Sequence, residues 1–218
     1  MPRKSSVFLV DDHPLVREWL ANLINRQPDL EVCGETGDKA QALQLIGAAK
    51  PDVAIVDISL ESGSGLELIK ELRAIHPTLT VIVLSMHDEL LYAERALRAG
   101  ARGYVMKREA TKKVLQAIRS VLEGKLYMSE KIVTLMAEKM VEGKPPGLLS
   151  PMEQLSDREL EVFQLLGRGL GTRQIAEELH VSFKTVQSFS ARIKEKLMLA
   201  NATELLREAV RWHDSQQK

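Results

Sequence analysis

Five short apolar runs alternate with segments of helical periodicity through the first part of this chain, and that alternation constrains its fold more than any other feature. The runs are Val7–Val10, Leu30–Cys33, Val53–Val56, Thr80–Leu84 and Gly103–Met106. Val53-Ala54-Ile55-Val56 suits a strand buried on both faces, because three of its four residues are β-branched and none is polar. Between the runs, apolar residues recur at helical spacing: Leu15, Val16, Trp19, Leu20, Leu23 and Ile24; Ala42, Leu43 and Ile46; Leu66, Ile69 and Leu72; Leu90, Leu91, Ala96 and Leu97; Val114, Leu115, Ile118 and Leu122. Asp38 is placed to cap the second of these helices, and Gly100 to end the fourth. Strands that alternate with helices predict an α/β unit: a doubly wound, five-stranded parallel sheet with right-handed crossovers.

In such a sheet the functional crevice lies at the carboxyl ends of the strands. Those ends carry Asp11 and Asp12, Asp57, Ser85 and Lys107, with a polar Gly/Ser-rich loop (Ser59 to Gly65) behind Asp57. Clustered carboxylates repel, so the site should raise a pKa or hold a hard cation. Oxygen donors without a paired His or Cys favour Mg²⁺ over zinc. His13 and His87 lie near this edge, but nothing in the sequence pairs them as ligands, and His87 reads as a modulator of access. A carboxylate beside Mg²⁺ and an ammonium suits phosphoryl transfer, with Asp57 as nucleophile and Ser85 donating to the transferred group.

These residues resemble the response-regulator receiver domain, over roughly Ser6 to Glu123. The resemblance implies a flavodoxin-like fold with Asp57 as phosphoacceptor. It also implies Mg²⁺ held by Asp11, Asp12, Asp57 and the backbone carbonyl of Ser59, and phosphoryl binding and switching by Ser85, Tyr104 and Lys107. Glu61 departs from the pattern, standing where many receivers have proline. A receiver implies a sensor histidine kinase as phosphodonor.

After Gly124 the pattern weakens, and Gly143-Lys144-Pro145-Pro146-Gly147 cannot continue a helix. The expected division is therefore a unit over 1–124, a partly helical linker over 125–147, and a second unit over 148–218. The second unit reads as a small all-α domain. Ser156-Asp157-Arg158-Glu159 has the form of a capping box. Thr172 is placed to cap a short helix with Ile175, Ala176 and Leu179. After the turn His180-Val181-Ser182, Ser182 opens a helix expected to bury Val186, Phe189, Ile193 and Leu197. Two short helices about such a turn form a helix-turn-helix. The whole chain is neutral, with 30 basic and 30 acidic residues, so a nucleic-acid surface must be local. Lys184, Arg192, Lys194 and Lys196 against Glu195 form such a patch.

This half resembles the LuxR-type DNA-binding domain, through Leu155–Glu159, the run from Gly171 to Leu179, and Lys184-Thr185-Val186. Joined to a receiver, it is similar to bacterial regulators of the NarL/FixJ class. The resemblance implies that the helix from Phe183 to Lys196 enters the major groove of double-stranded DNA. Gln187, Ser188 and Ala191 would then face base edges, with Lys184, Thr185 and Arg192 near phosphates. Gln187 and Phe189 stand where relatives commonly have Lys and His. The expected assembly is a homodimer when phosphorylated, for which Leu205, Leu206, Ala209 and Val210 are candidate contacts unless they serve the core.

The single Cys33 and the short first apolar run suit a cytoplasmic protein with no membrane span. Two rivals are a phosphate-independent docking receiver and an aspartate-nucleophile phosphatase. The latter typically has a second aspartate two residues after the nucleophile, where this chain has Ser59. Nothing beyond slow self-phosphorylation and self-dephosphorylation is therefore expected of it as an enzyme.

Overall fold

The structure is a computed structural model that describes residues 3–141 and 151–216. The chain forms two compact units, Met1–Met136 and Ala137–Lys218. The expected linker straddles this division, and its Gly/Pro stretch at 143–147, like the expected domain start at 148, lies outside the described residues. Among the described residues no helix is long and apolar enough to cross a membrane.

The first unit contains strands β1 (Ser5–Val10), β2 (Leu30–Thr36), β3 (Val53–Val56), β6 (Thr80–Ser85) and β7 (Gly103–Met106) in one parallel sheet, in the order β2-β1-β3-β6-β7. Helices α1 (Pro14–Asn25), α2 (Lys39–Ala49), α3 (Gly65–Ile75), α4 (Glu89–Ala99) and α5 (Ala110–Leu122) connect and follow them. This is the flavodoxin-like arrangement the alternation predicts. β3 is buried throughout and β6 from Val81 onward, which is why they read as apolar runs. Asp38 caps α2 by accepting from the Gln41 N–H, and Gly100 ends α4 at φ 121°, a conformation costly for residues with a Cβ.

Three local expectations change. The segment behind Asp57 is a small antiparallel hairpin, β4 (Ser59–Leu60) with β5 (Gly63–Ser64), and Glu61 sits in its turn. In α4 the buried face is Tyr92, Ala93, Ala96 and Ala99, mostly small residues that let the helix lie close to the sheet, whereas Leu90, Leu91 and Leu97 are only partly buried. In α5, Val121 takes the core position expected of Leu122, which is exposed. A sixth helix, α6 (Glu130–Val141), follows.

The second unit holds α7 (Asp157–Gly167), α8 (Thr172–Glu178), α9 (Phe183–Lys196) and α10 (Ala202–Gln216). Leu160, Val162, Phe163, Ile175, Val186, Ile193, Leu205 and Ala209 are buried in it. Both halves of the Ser156–Glu159 capping box are present. At α8 the cap is Gly171 rather than Thr172. The Gln174 side chain accepts from the Gly171 N–H at 2.9 Å, so Thr172 becomes the first helical residue.

Candidate functional site: an acidic crevice and an exposed recognition helix

Sheet register assembles the first site. Val10 lies beside Val56 across β1 and β3, and Ser85 beside Met106 across β6 and β7, so the residues that follow emerge together. The Asp57 N–H donates to the Val10 carbonyl at 2.8 Å, which seats Asp57 next to Asp11. Lys107 reaches in from the end of β7, its Nζ 2.6 Å from Asp57 Oδ2 and 2.7 Å from Asp11 Oδ2. Asp57 is 3% exposed and Asp11 2%. Burial pushes the Asp57 carboxyl up to about 6; Lys107 opposes that shift, and Asp11 and Asp12 add to it.

Gly65 lets the chain close around this site. A Cβ at that position would lie 1.8 Å from the Asp57 carbonyl oxygen, so only glycine allows α3 to start so near Asp57.

One ligand atom from each of Asp11, Asp12, His13 and Asp57 falls within 4.8 Å of the others. Asp57 Oδ1 is buried without a hydrogen-bond partner among the described residues. An acidic pocket with a bare carboxylate oxygen fits a hard divalent cation. The imidazole of His13 covers its rim, Nδ1 lying 2.6 Å from Asp12 Oδ1 and 3.1 Å from Asp11 Oδ1.

Beside the carboxylates, Ser85 is fully buried, and its hydroxyl accepts from the His87 N–H at 3.2 Å. The Tyr104 ring is turned inward, 2% exposed, and its hydroxyl donates to the His87 carbonyl at 2.8 Å. The His87 ring meets the Ser59 hydroxyl at 2.7 Å through Nε2 and packs against Tyr92 at 4.5 Å between centroids. His87 thus ties the hairpin behind Asp57 to the start of α4.

In the second unit, Leu179–Ser182 joins α8 to α9, with His180 at φ 50° and the Ser182 hydroxyl accepting from the Thr185 N–H. Lys184, Gln187, Ser188, Ala191 and Arg192 are all exposed, at i, i+3, i+4, i+7 and i+8. That spacing places them along one face of α9, while Val186 and Ile193 are buried. The Ser188 hydroxyl donates to the Lys184 carbonyl at 3.0 Å. Thr185 is partly buried, and its hydroxyl pairs with that of Ser182 at 2.7 Å.

Comparisons with known proteins follow the same division. Residues 7–119 match the response regulator receiver domain, and 153–209 match the luxR family of bacterial regulatory proteins. The chain is 35% identical to the oxygen regulatory protein NreC of Staphylococcus haemolyticus over 209 residues, 94% of this chain and 96% of that one. It belongs to the response-regulator family. Among solved structures, a LuxR-family two-component response regulator from Aurantimonas sp. is similar with a TM-score of 0.59 and 34% identity, over 64% of this chain and 99% of that one. RcsB from Salmonella enterica serovar Typhimurium, bound to a promoter in the presence of the phosphomimetic BeF3⁻, is similar with a TM-score of 0.63 and 26% identity, over 95% and 98% of the chains.

The regulator therefore joins a receiver to a LuxR-type DNA-binding domain. Its crevice brings together Asp11, Asp12, Asp57, Ser59, Ser85, Tyr104 and Lys107, and α9 presents the expected exposed face. Three expectations need revision. Lys196 does not serve the basic patch: its Nζ is 2.6 Å from Glu159 Oε2, inside the second unit. Burial there opposes ionisation of Glu159, but the bonds from Lys196 and from the Ser156 N–H prevail and hold its carboxyl below the usual range. Phe189 and Leu197 are only partly buried. Of the candidate dimer contacts, Leu205 and Ala209 belong to the core, which leaves Leu206 and Val210 exposed one turn apart on α10. Sequence reasoning missed Gly65, Tyr92 and the place of His13 over the acidic pair. The position of His13 immediately after Asp11-Asp12, at the cap of α1, was the available signal.

Proposed function

We propose that this regulator is switched by phosphorylation of Asp57 by a sensor histidine kinase, and that the switch controls sequence-specific DNA binding through α9. The receiver would span 1–124 and the DNA-binding domain 148–218, joined through 125–147. The observation that carries the reading is Asp57 itself, a buried carboxylate with one oxygen held by Lys107 and the other bare.

Asp11, Asp12, Asp57 and the Ser59 carbonyl would hold Mg²⁺. The ion supplies charge neutralisation for the carboxylates and for the incoming phosphoryl group. Asp57 attacks the phosphorus of the kinase's phosphohistidine as the P–N bond breaks, and the released imidazole nitrogen keeps the electron pair. Lys107, already at the site, pairs with the charge that arrives, and Ser85 turns its hydroxyl toward a phosphoryl oxygen. Ser59 rather than a second aspartate stands two residues after Asp57, so turnover on an external substrate is not expected.

The added charge biases a two-state equilibrium toward a form that binds DNA. Lys184, Thr185 and Arg192 would contact phosphates, and Gln187, Ser188 and Ala191 base edges. Leu206 and Val210 are the candidate homodimer contacts. The protein would act in the cytoplasm, where kinase domains and DNA are accessible. The test is intact-mass spectrometry after incubation with acetyl phosphate. One phosphoryl group should be gained with Mg²⁺ and none with a chelator or in Asp57→Asn. Phosphoryl gain in Asp57→Asn would refute the assignment.

A further inference from the structure

The chain does not leave the receiver at the end of α5. The Tyr127 N–H donates to the Arg102 carbonyl, and the Tyr127 carbonyl accepts from the Tyr104 N–H, both at 2.9 Å, so this segment pairs in parallel with the outer edge of β7. The Arg102 guanidinium holds the Gly124 carbonyl at 2.7 Å at the start of the segment. The Tyr127 ring packs against the main core, and its hydroxyl donates to Gln116 of α5 at 3.3 Å. At the far end, Ser129 caps α6, its hydroxyl accepting from the Ile132 N–H at 3.3 Å. The same hydroxyl donates to Glu89 Oε1, the first residue of α4, at 2.9 Å. Ile132 is buried one turn later.

Both anchors of this segment lead back to the switch. Tyr104 holds it through its backbone N–H, while the Tyr104 hydroxyl is held by the His87 carbonyl, and the His87 N–H is held by Ser85. Glu89 lies two residues beyond His87. We propose that Lys125–Ile132 is a releasable strap, which seals the β7 edge and caps α6 while Asp57 is unmodified and detaches when Asp57 carries a phosphoryl group. The proposal rests on the phosphorylation reading above.

The physical sequence is short. Ser85 has one hydroxyl, and turning it to a phosphoryl oxygen withdraws the acceptor of the His87 N–H. The His87–Glu89 turn then keeps only its contacts through Tyr104, Ser59 and Tyr92, Glu89 shifts away from Ser129, and α6 loses the partner that orients its cap. An unsealed β7 edge exposes N–H and C=O groups that otherwise are paired. The strap is continuous in sequence with the chain that leads to the DNA-binding domain, so the signal would leave the receiver through this backbone.

Hydrogen exchange read by mass spectrometry on the full chain tests this, with phosphorylation by acetyl phosphate and Mg²⁺ verified by intact mass. In the modified protein, peptides over 125–133 should exchange about fivefold faster or more, the effect of one lost hydrogen bond, while β1 and β3 stay unchanged. Ser129→Ala without any donor should show the same gain in 125–133 and in β7. Modified protein with an unmoved or better protected strap overturns the proposal. So does a Ser129→Ala effect confined to 129–133. Failure to gain a phosphoryl group removes the trigger along with the Asp57 reading, and intact mass separates that result from a strap that does not respond.

Discussion

The acidic crevice and the exposed face of α9 are built on opposite terms. In the crevice, sheet register brings together Asp11, Asp57 and Lys107, burial raises the cost of every charge, and each side chain is specified by its neighbours. On α9, Gln187, Ser188, Ala191 and Arg192 face solvent, and the fold asks of them only that they leave Val186 and Ile193 to the core. The first arrangement stores electrostatic strain that a cation would relieve and an added phosphoryl charge would increase. The second stores nothing, and its side chains are free to set sequence preference without affecting stability.

Substitutions that break this contrast rank by how tightly the site is packed. Gly65→Ala should have the largest effect, since its Cβ meets the backbone of Asp57: a loss of about 3 kcal/mol or more in urea unfolding, with phosphoryl uptake lost as well. Lys107→Met comes next, because it leaves Asp11 and Asp57 buried without their cation. It should cost about 3 kcal/mol at pH 8, less at pH 5, where Asp57 takes up a proton, and less again when Mg²⁺ is present.

Asp57→Asn should move stability the other way in chelator. The folded carboxyl titrates at about 6 against 3.8 for an unperturbed aspartate, so the folded chain binds more protons than the unfolded chain between those values. Wild-type stability therefore falls as pH rises through this window, and above it the full penalty is present. The variant should be more stable by roughly 1–3 kcal/mol at pH 7.5, with the gain fading toward pH 4. Denaturation at several pH values checks the sign.

The recognition face should show the smallest effects on stability, with clear effects on DNA. Gln187→Ala should leave the unfolding midpoint unchanged and relax base preference at one position by about 1–3 kcal/mol. Lys184→Ala should weaken binding to all sequences and lower the salt slope by about one. Competition binding at several salt concentrations separates the two. A destabilised Gln187→Ala would erase the distinction between the regions.

What was legible in the sequence divides along the same line. Strand ends announce themselves, because an apolar run terminated by Asp57 or Lys107 can place that residue only at the sheet's edge. The helix-turn-helix was legible from Ser156, Ser182 and the spacing of Val186 and Ile193. Contacts between elements were not. Gly65 approaches the Asp57 carbonyl backbone to backbone, which leaves no mark in composition. Lys196 looks like part of a basic patch until Glu159, 37 residues earlier, is found beneath it. Tyr104 was expected at the switch, but its hydroxyl partner is a carbonyl, and every residue has one.

The most direct test of the account is DNA affinity before and after phosphorylation, measured on genomic fragments for wild type and Asp57→Asn with modification verified by mass. The account predicts tighter binding of the phosphorylated wild type and no response in the variant. Fully phosphorylated protein that binds DNA with unchanged affinity and unchanged assembly would contradict it, and would make the receiver a docking module whose chemistry is not coupled to α9.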